Sequence, residues 1–144
     1  MSRQTSYALN VLPFALALFL MLFLPRFEAW LFPVVKDFVV TGMVKEPGYV
    51  TLTGYMRKSR DCQFRAVTAE ALLGDQWADV PLRFMDSSNH TATRPTGTQP
   101  WGPWRVTVPV SLATQDIRLS AVHSCHPAWP TESTLAVIPI KVSE

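Results

Sequence analysis

The chain has 144 residues, 48% of them hydrophobic and only 17% charged, with a formal net charge of +2. Without its apolar N-terminus about a hundred residues remain, enough for one hydrophobic core and too few for two. Acids and bases nearly cancel from Arg26 onward, so the remainder has no basic field with which to hold nucleic acid.

Residues 1–6 read as a short tail and residues 7–25 as a transmembrane anchor. Between Tyr7 and Leu24 only Asn10 and Pro13 interrupt the apolar run, which reaches the short end of the roughly 17 to 25 residues a spanning helix needs. Pro25 and Arg26 are expected to close the helix. A cleaved secretory signal is the competing reading, and Arg3 supplies its charged start. Leu24-Pro25-Arg26-Phe27-Glu28, however, offers no small-residue cleavage site, which favours a retained anchor.

Residues 26–36 read as an interfacial linker in which Phe27, Trp30, Leu31 and Phe32 lie among Arg26, Glu28 and Pro33. Rings in such company settle at a headgroup layer, so Trp30 and Phe32 are candidate membrane-interface residues; packing of Trp30 beneath the following domain is the alternative.

From residue 37 to 144 the pattern becomes period-two alternation rich in β-branched and aromatic residues, with Gly and Pro between runs, which is a strand signature. Expected strands are Phe38–Val44, Tyr49–Met56, Cys62–Leu73, Trp77–Met85, Trp104–Leu112, Ile117–Cys125 and Thr134–Val142. In the second, Val50, Leu52 and Met56 share a face; in the fourth, Ala78, Val80, Leu82 and Phe84 do; in the fifth, Val106, Val108 and Val110 point inward. Ala69-Glu-Ala-Leu-Leu73 is the run most easily mistaken for helix. Asp86 to Pro103 reads as a long polar loop.

Seven short strands without an amphipathic helix predict an all-β, two-sheet sandwich, and in pattern the domain resembles the immunoglobulin and fibronectin-III type. Cys62, Trp77 and Cys125 superficially echo the immunoglobulin pattern, although His123 stands where a Tyr two residues before the second Cys would be expected. Two cysteines behind a membrane signal read as one disulfide, Cys62 to Cys125, between the start of the third strand and the end of the sixth, which a sandwich of this order makes antiparallel neighbours. The positive-inside count is undecided, with Arg3 on one side and Arg26 and Lys36 on the other. The disulfide decides it: the domain is expected outside and the N-terminus in the cytoplasm.

Candidate chemistry is sparse. His123-Ser-Cys-His126 is the densest run of ligand types, yet an oxidised Cys125 offers no thiolate, His126 points away from His123 in a strand, and His90 is the only other histidine. No metal or cofactor is expected. Trp101 and Trp104 in Gln99-Pro-Trp-Gly-Pro-Trp104, and Trp129 in His126-Pro-Ala-Trp-Pro130, lie on proline-stiffened segments. Trp101 and Trp129 are the candidate partner surface, against the alternative that such rings plug the sandwich end. Arg57, Lys58 and Arg60, with Arg65, form a local basic cluster for anionic headgroups or an acidic partner, or else a solvated turn. Asn89-His90-Thr91 matches the glycosylation sequon, which matters only in a eukaryotic secretory pathway. No nucleophile elbow, phosphate loop or carboxylate pair supports catalysis.

The stretches Gly54-Tyr-Met-Arg-Lys-Ser-Arg-Asp-Cys-Gln-Phe64 and His123-Ser-Cys-His-Pro-Ala-Trp129 resemble those of short single-pass membrane proteins of tailed bacteriophages and some bacteria. That resemblance brings no activity with it; it implies a Gram-negative inner membrane with the domain in the periplasm. The expected function is a membrane-tethered, non-catalytic binding or scaffold module whose partners are the membrane and an envelope or membrane protein, with no nucleic acid and no small-molecule substrate. The alternative is an accessory subunit held in a larger complex by its anchor helix.

Overall fold

The computed structural model describes residues 3–86, 94–109 and 114–141. The first element, α1 (Arg3–Leu31), is a helix of 29 residues with both Pro13 and Pro25 inside it, about 44 Å long at the standard rise. The expected stop at Pro25 is therefore corrected. A proline removes one hydrogen bond and bends the helix rather than ending it when the turns on either side are held, and the turn after Pro25 is closed by the Phe32 N–H donating to the Glu28 carbonyl at 2.8 Å. The large side chains from Val11 to Leu24 are 41% to 80% exposed. By length and composition Val11–Leu31 is long and apolar enough to cross a membrane.

Among the described residues eight strands follow: β1 (Val35–Glu46), β2 (Tyr49–Lys58), β3 (Gln63–Leu73), β4 (Gln76–Val80), β5 (Leu82–Phe84), β6 (Gly97–Thr107), β7 (Thr114–Ser124) and β8 (Thr131–Lys141). They form two four-stranded antiparallel sheets, ordered β1-β2-β6-β5 and β4-β3-β7-β8. This is the sandwich expected from the alternation, with one apolar helix in front. The eighth strand arises because Pro81 cuts the expected run Trp77–Met85. Proline cannot donate to a ladder, so β4 stays with β3 while β5 crosses to β6. Ala69 and Ala71 lie buried on β3, so the ambiguous run is strand. Val108 lies beyond the end of β6 and is half-buried; Val110 and Leu112 lie outside the described residues, as does the sequon.

Inward faces follow period two. On β2, Val50, Leu52 and Met56 are buried; Trp104 and Val106 of β6, Ile117 and Leu119 of β7, and Ile138 and Ile140 of β8 meet them between the sheets. β6 begins seven residues earlier than expected and takes in Pro100 and Trp101. β5 pairs only with Trp104, Arg105 and Val106, so the first half of β6 is an edge on that side, where a missing N–H breaks no bond.

A bulge decides which way the tryptophans face. Leu52 pairs with Trp104 but Gly54 pairs with Trp101, so Gly102 and Pro103 together oppose Thr53. The extra residue restores the same face to two positions three apart, and Trp101 and Trp104 both turn inward, with ring centroids 4.6 Å apart. Trp101 stacks on Phe38 at 4.4 Å and is 1% exposed. The space for its ring comes from Gly54, where an added Cβ would lie 2.8 Å from the indole.

Candidate functional site

The best-organised polar assembly lies where the helix meets the sandwich. Start of β1, end of β2, start of β3, end of β7 and start of β8 all converge at that end. Gln63 pairs with Ser124 in the β3–β7 register, which sets Cys62 opposite Cys125 just beyond the ladder. The two form a disulfide with Cα atoms 4.6 Å apart, closing a separation of 63 residues within one sheet. Disulfides persist in oxidising compartments.

The disulfide joins the two segments that grip the helix. On the β2–β3 turn, Arg60 Nη2 donates to Glu28 Oε1 at 2.8 Å and Arg60 Nη1 to the Phe32 carbonyl at 3.1 Å. The Ser59 hydroxyl donates to the Pro33 carbonyl at 2.5 Å, and the Ser59 N–H to the Val34 carbonyl at 2.8 Å. On the β7–β8 loop, Trp129 Nε1 donates to Glu28 Oε2 at 3.1 Å. The Trp129 ring is stacked on His126, 3.8 Å between centroids, and His126 Nδ1 accepts from the Ala128 N–H at 3.1 Å. Both oxygens of one carboxylate are thus used to fix the last turn of α1 to the domain. Around this joint Phe27, Trp30 and Phe32 are 58%, 75% and 59% exposed. The exposed Lys36 pairs with Arg57 across β1 and β2.

The residues expected to form a partner surface are redistributed. Trp101 is in the core, a correction that follows from the bulge, because without it positions 101 and 104 face opposite ways. Lys58 is also corrected: it is the next inward position after Met56 on β2 and is 4% exposed. Arg60 and Trp129 are half-buried and turned to their own helix; Arg57 alone of the five stays exposed. Arg65 donates to the Ser124 hydroxyl at 2.9 Å. Trp77 lies on the outer face of its sheet with the Arg118 guanidinium 4.3 Å from its ring centre, and Arg118 Nε is 2.6 Å from Glu70 Oε2. Trp30 and Phe32 are exposed, and Trp30 does not pack beneath the domain.

Of the possible ligand types, Cys125 is committed to Cys62, His126 to its stack with Trp129, and His90 lies outside the described residues. His123 is 4% exposed, and burial, then the nearby Lys58 charge, lowers its pKa to about 4. Sequence reasoning missed Glu28 as the hub; the available signal was a lone carboxylate among aromatic residues at the end of an apolar run.

No protein family, no curated protein and no solved structure matches this chain.

Proposed function

We propose that the protein is a membrane-tethered, non-catalytic module that holds its β-sandwich close to the membrane surface, on the oxidising side, for an envelope or membrane-protein partner. The observation that carries this reading is the joint at Glu28. An exposed apolar helix is fixed to the end of the domain by Arg60 and Trp129 rather than left on a loose linker. The domain then sits within one or two helical turns of the bilayer, with Trp30 and Phe32 in the headgroup layer and Arg57 and Lys36 offered to anionic lipid. The disulfide supports export, hence a cytoplasmic N-terminus and, for a Gram-negative host, a periplasmic domain. The order β1-β2-β6-β5 over β4-β3-β7-β8 supports an immunoglobulin-like topology with a fourth strand on the second sheet. The disulfide within one sheet departs from the inter-sheet bridge of antibodies.

A second reading, an accessory subunit held by its helix, draws support from the same joint, since a fixed helix transmits its orientation to the domain. Thiol labelling of Cys62 and Cys125 in intact membranes, with protease added from each side, tests export. Labelling only after reduction and cleavage only from outside are expected; free thiols on a cytoplasmic domain would overturn both readings. Replacing Tyr7–Leu24 with an unrelated spanning helix separates the two. The binding module keeps its partner, and the accessory subunit loses its complex.

A further inference from the structure

A cavity of about 40 Å³ lies between the sheets at the helix end of the sandwich, walled by Phe64, Phe84 and Trp104 and bearing Lys58, Arg94 and His123. Lys58 enters it because period two on β2 continues from Met56 into the interior. Its side chain is 4% exposed, and a buried charge is tolerated only where something compensates it. Nζ donates to the Arg94 carbonyl at 2.5 Å. Asp61 Oδ1, the carboxylate it is paired with, is 3.7 Å away and 83% exposed, too distant for a hydrogen bond and too wet to neutralise the charge. An ammonium has three donors, and the described contacts occupy one.

His123 adds an independent sign. It is 4% exposed and lines the same cavity, yet its buried Nδ1 has no hydrogen-bond partner among the described residues. A buried polar atom left in this state points to an occupant. Among the described residues no carboxylate lines the cavity, whereas two basic side chains do. Arg94 also feels the charge of Asp86, so the uncompensated charge is that of Lys58. Water satisfies donors but neutralises nothing, whereas an anion does both.

We propose that this cavity is a binding site for a small monovalent anion, with a carboxylate the best fit. At roughly 10–15 Å³ for each water-sized group, the space holds about three, the number of heavy atoms in a carboxylate. Lys58 Nζ supplies the charged donor, and the neutral imidazole donates from Nδ1 in the tautomer the anion selects. Phosphate esters and acyl chains are too large. The inference needs neither the membrane anchor nor a protein partner to be correct.

The test uses the full chain in detergent micelles, with thermal unfolding followed by tryptophan fluorescence in sodium formate or sodium gluconate at one ionic strength. Formate enters the cavity and gluconate is excluded by size. A melting temperature that climbs with formate while gluconate leaves it flat is expected, and Lys58→Met should abolish the climb. Equal responses to the two salts, no response to formate, or an undiminished response in Lys58→Met would overturn the site. Should Lys58→Met fail to fold, imidazole ¹⁵N spectra of the wild-type chain decide. A saturable formate-induced shift at Nδ1 of His123 supports the site, and an unmoved signal rejects it.

Discussion

Gly54 shows how a single atom's absence places a large ring. An added Cβ there meets the Val39 carbonyl and the Trp101 indole, and neither backbone nor a stacked tryptophan yields readily in a packed core. Gly54→Ala is expected to destabilise the domain by about 1–3 kcal/mol, read as a lower urea midpoint with an unchanged slope. An unchanged midpoint would mean that the ring is not seated there. His123 gives the pH counterpart. Its pKa is lowered from 6.5 to about 4, by burial first and by Lys58 second, while Arg94, across the cavity, carries the same sign of charge. Between those two values the unfolded chain takes up a proton that the folded chain refuses, so stability falls as pH falls. The contribution is complete above about pH 6.5, shrinks through that window and is gone below about 4, a loss on the order of 3 kcal/mol. Chemical denaturation of wild type and His123→Phe across pH 4 to 7 checks this, because the substitution should flatten this part of the slope. The cysteine pair was legible at this scale, since both thiols sat in strand-like sequence behind an apolar segment. Trp101 was not, because its direction depends on an extra residue in β6 that period-two counting cannot register.

The helix–domain joint sets the behaviour of elements. The Arg60–Glu28 pair, 32% and 20% exposed, adds little to global stability, and its effect is local order. Glu28→Ala is expected to leave the melting temperature of the sandwich nearly unchanged while speeding hydrogen exchange across residues 26–34 about fivefold, the equivalent of about 1 kcal/mol. Exchange confined to its original rate would remove the joint's mechanical role. The disulfide acts more broadly. Opening a separation of 63 residues costs roughly 4 kcal/mol in the chain-entropy model, so the Cys62→Ser, Cys125→Ser double variant should unfold at markedly lower denaturant and lose protection at the Arg60 and Trp129 segments together. Loss at only one segment would show that the bridge does not coordinate them. Most strands could be read from alternation because one face of each is buried. The early start of β6 could not, because prolines that signal a loop are harmless on the half of a strand that β5 leaves unpaired.

Taken as a whole, the molecule is an apolar helix joined end-on to a two-sheet sandwich, and the two parts were legible to different degrees. Composition and periodicity determined the class: a continuous apolar run makes a long apolar helix, and period-two alternation fits a half-buried sheet, so helix, sandwich and disulfide follow from local pattern. Tertiary structure alone decided what those elements do to one another. Pro81 reads as one residue in a strand until two competing sheets exist for the chain to divide between. Glu28 reads as an interfacial charge until the disulfide brings Arg60 and Trp129 to its two oxygens. Lys58 reads as part of a basic turn until the β2 register carries it between the sheets beside His123. In each case the deciding contact joins residues far apart in sequence, and such contacts depend on register and sheet order, which no local window of the chain contains.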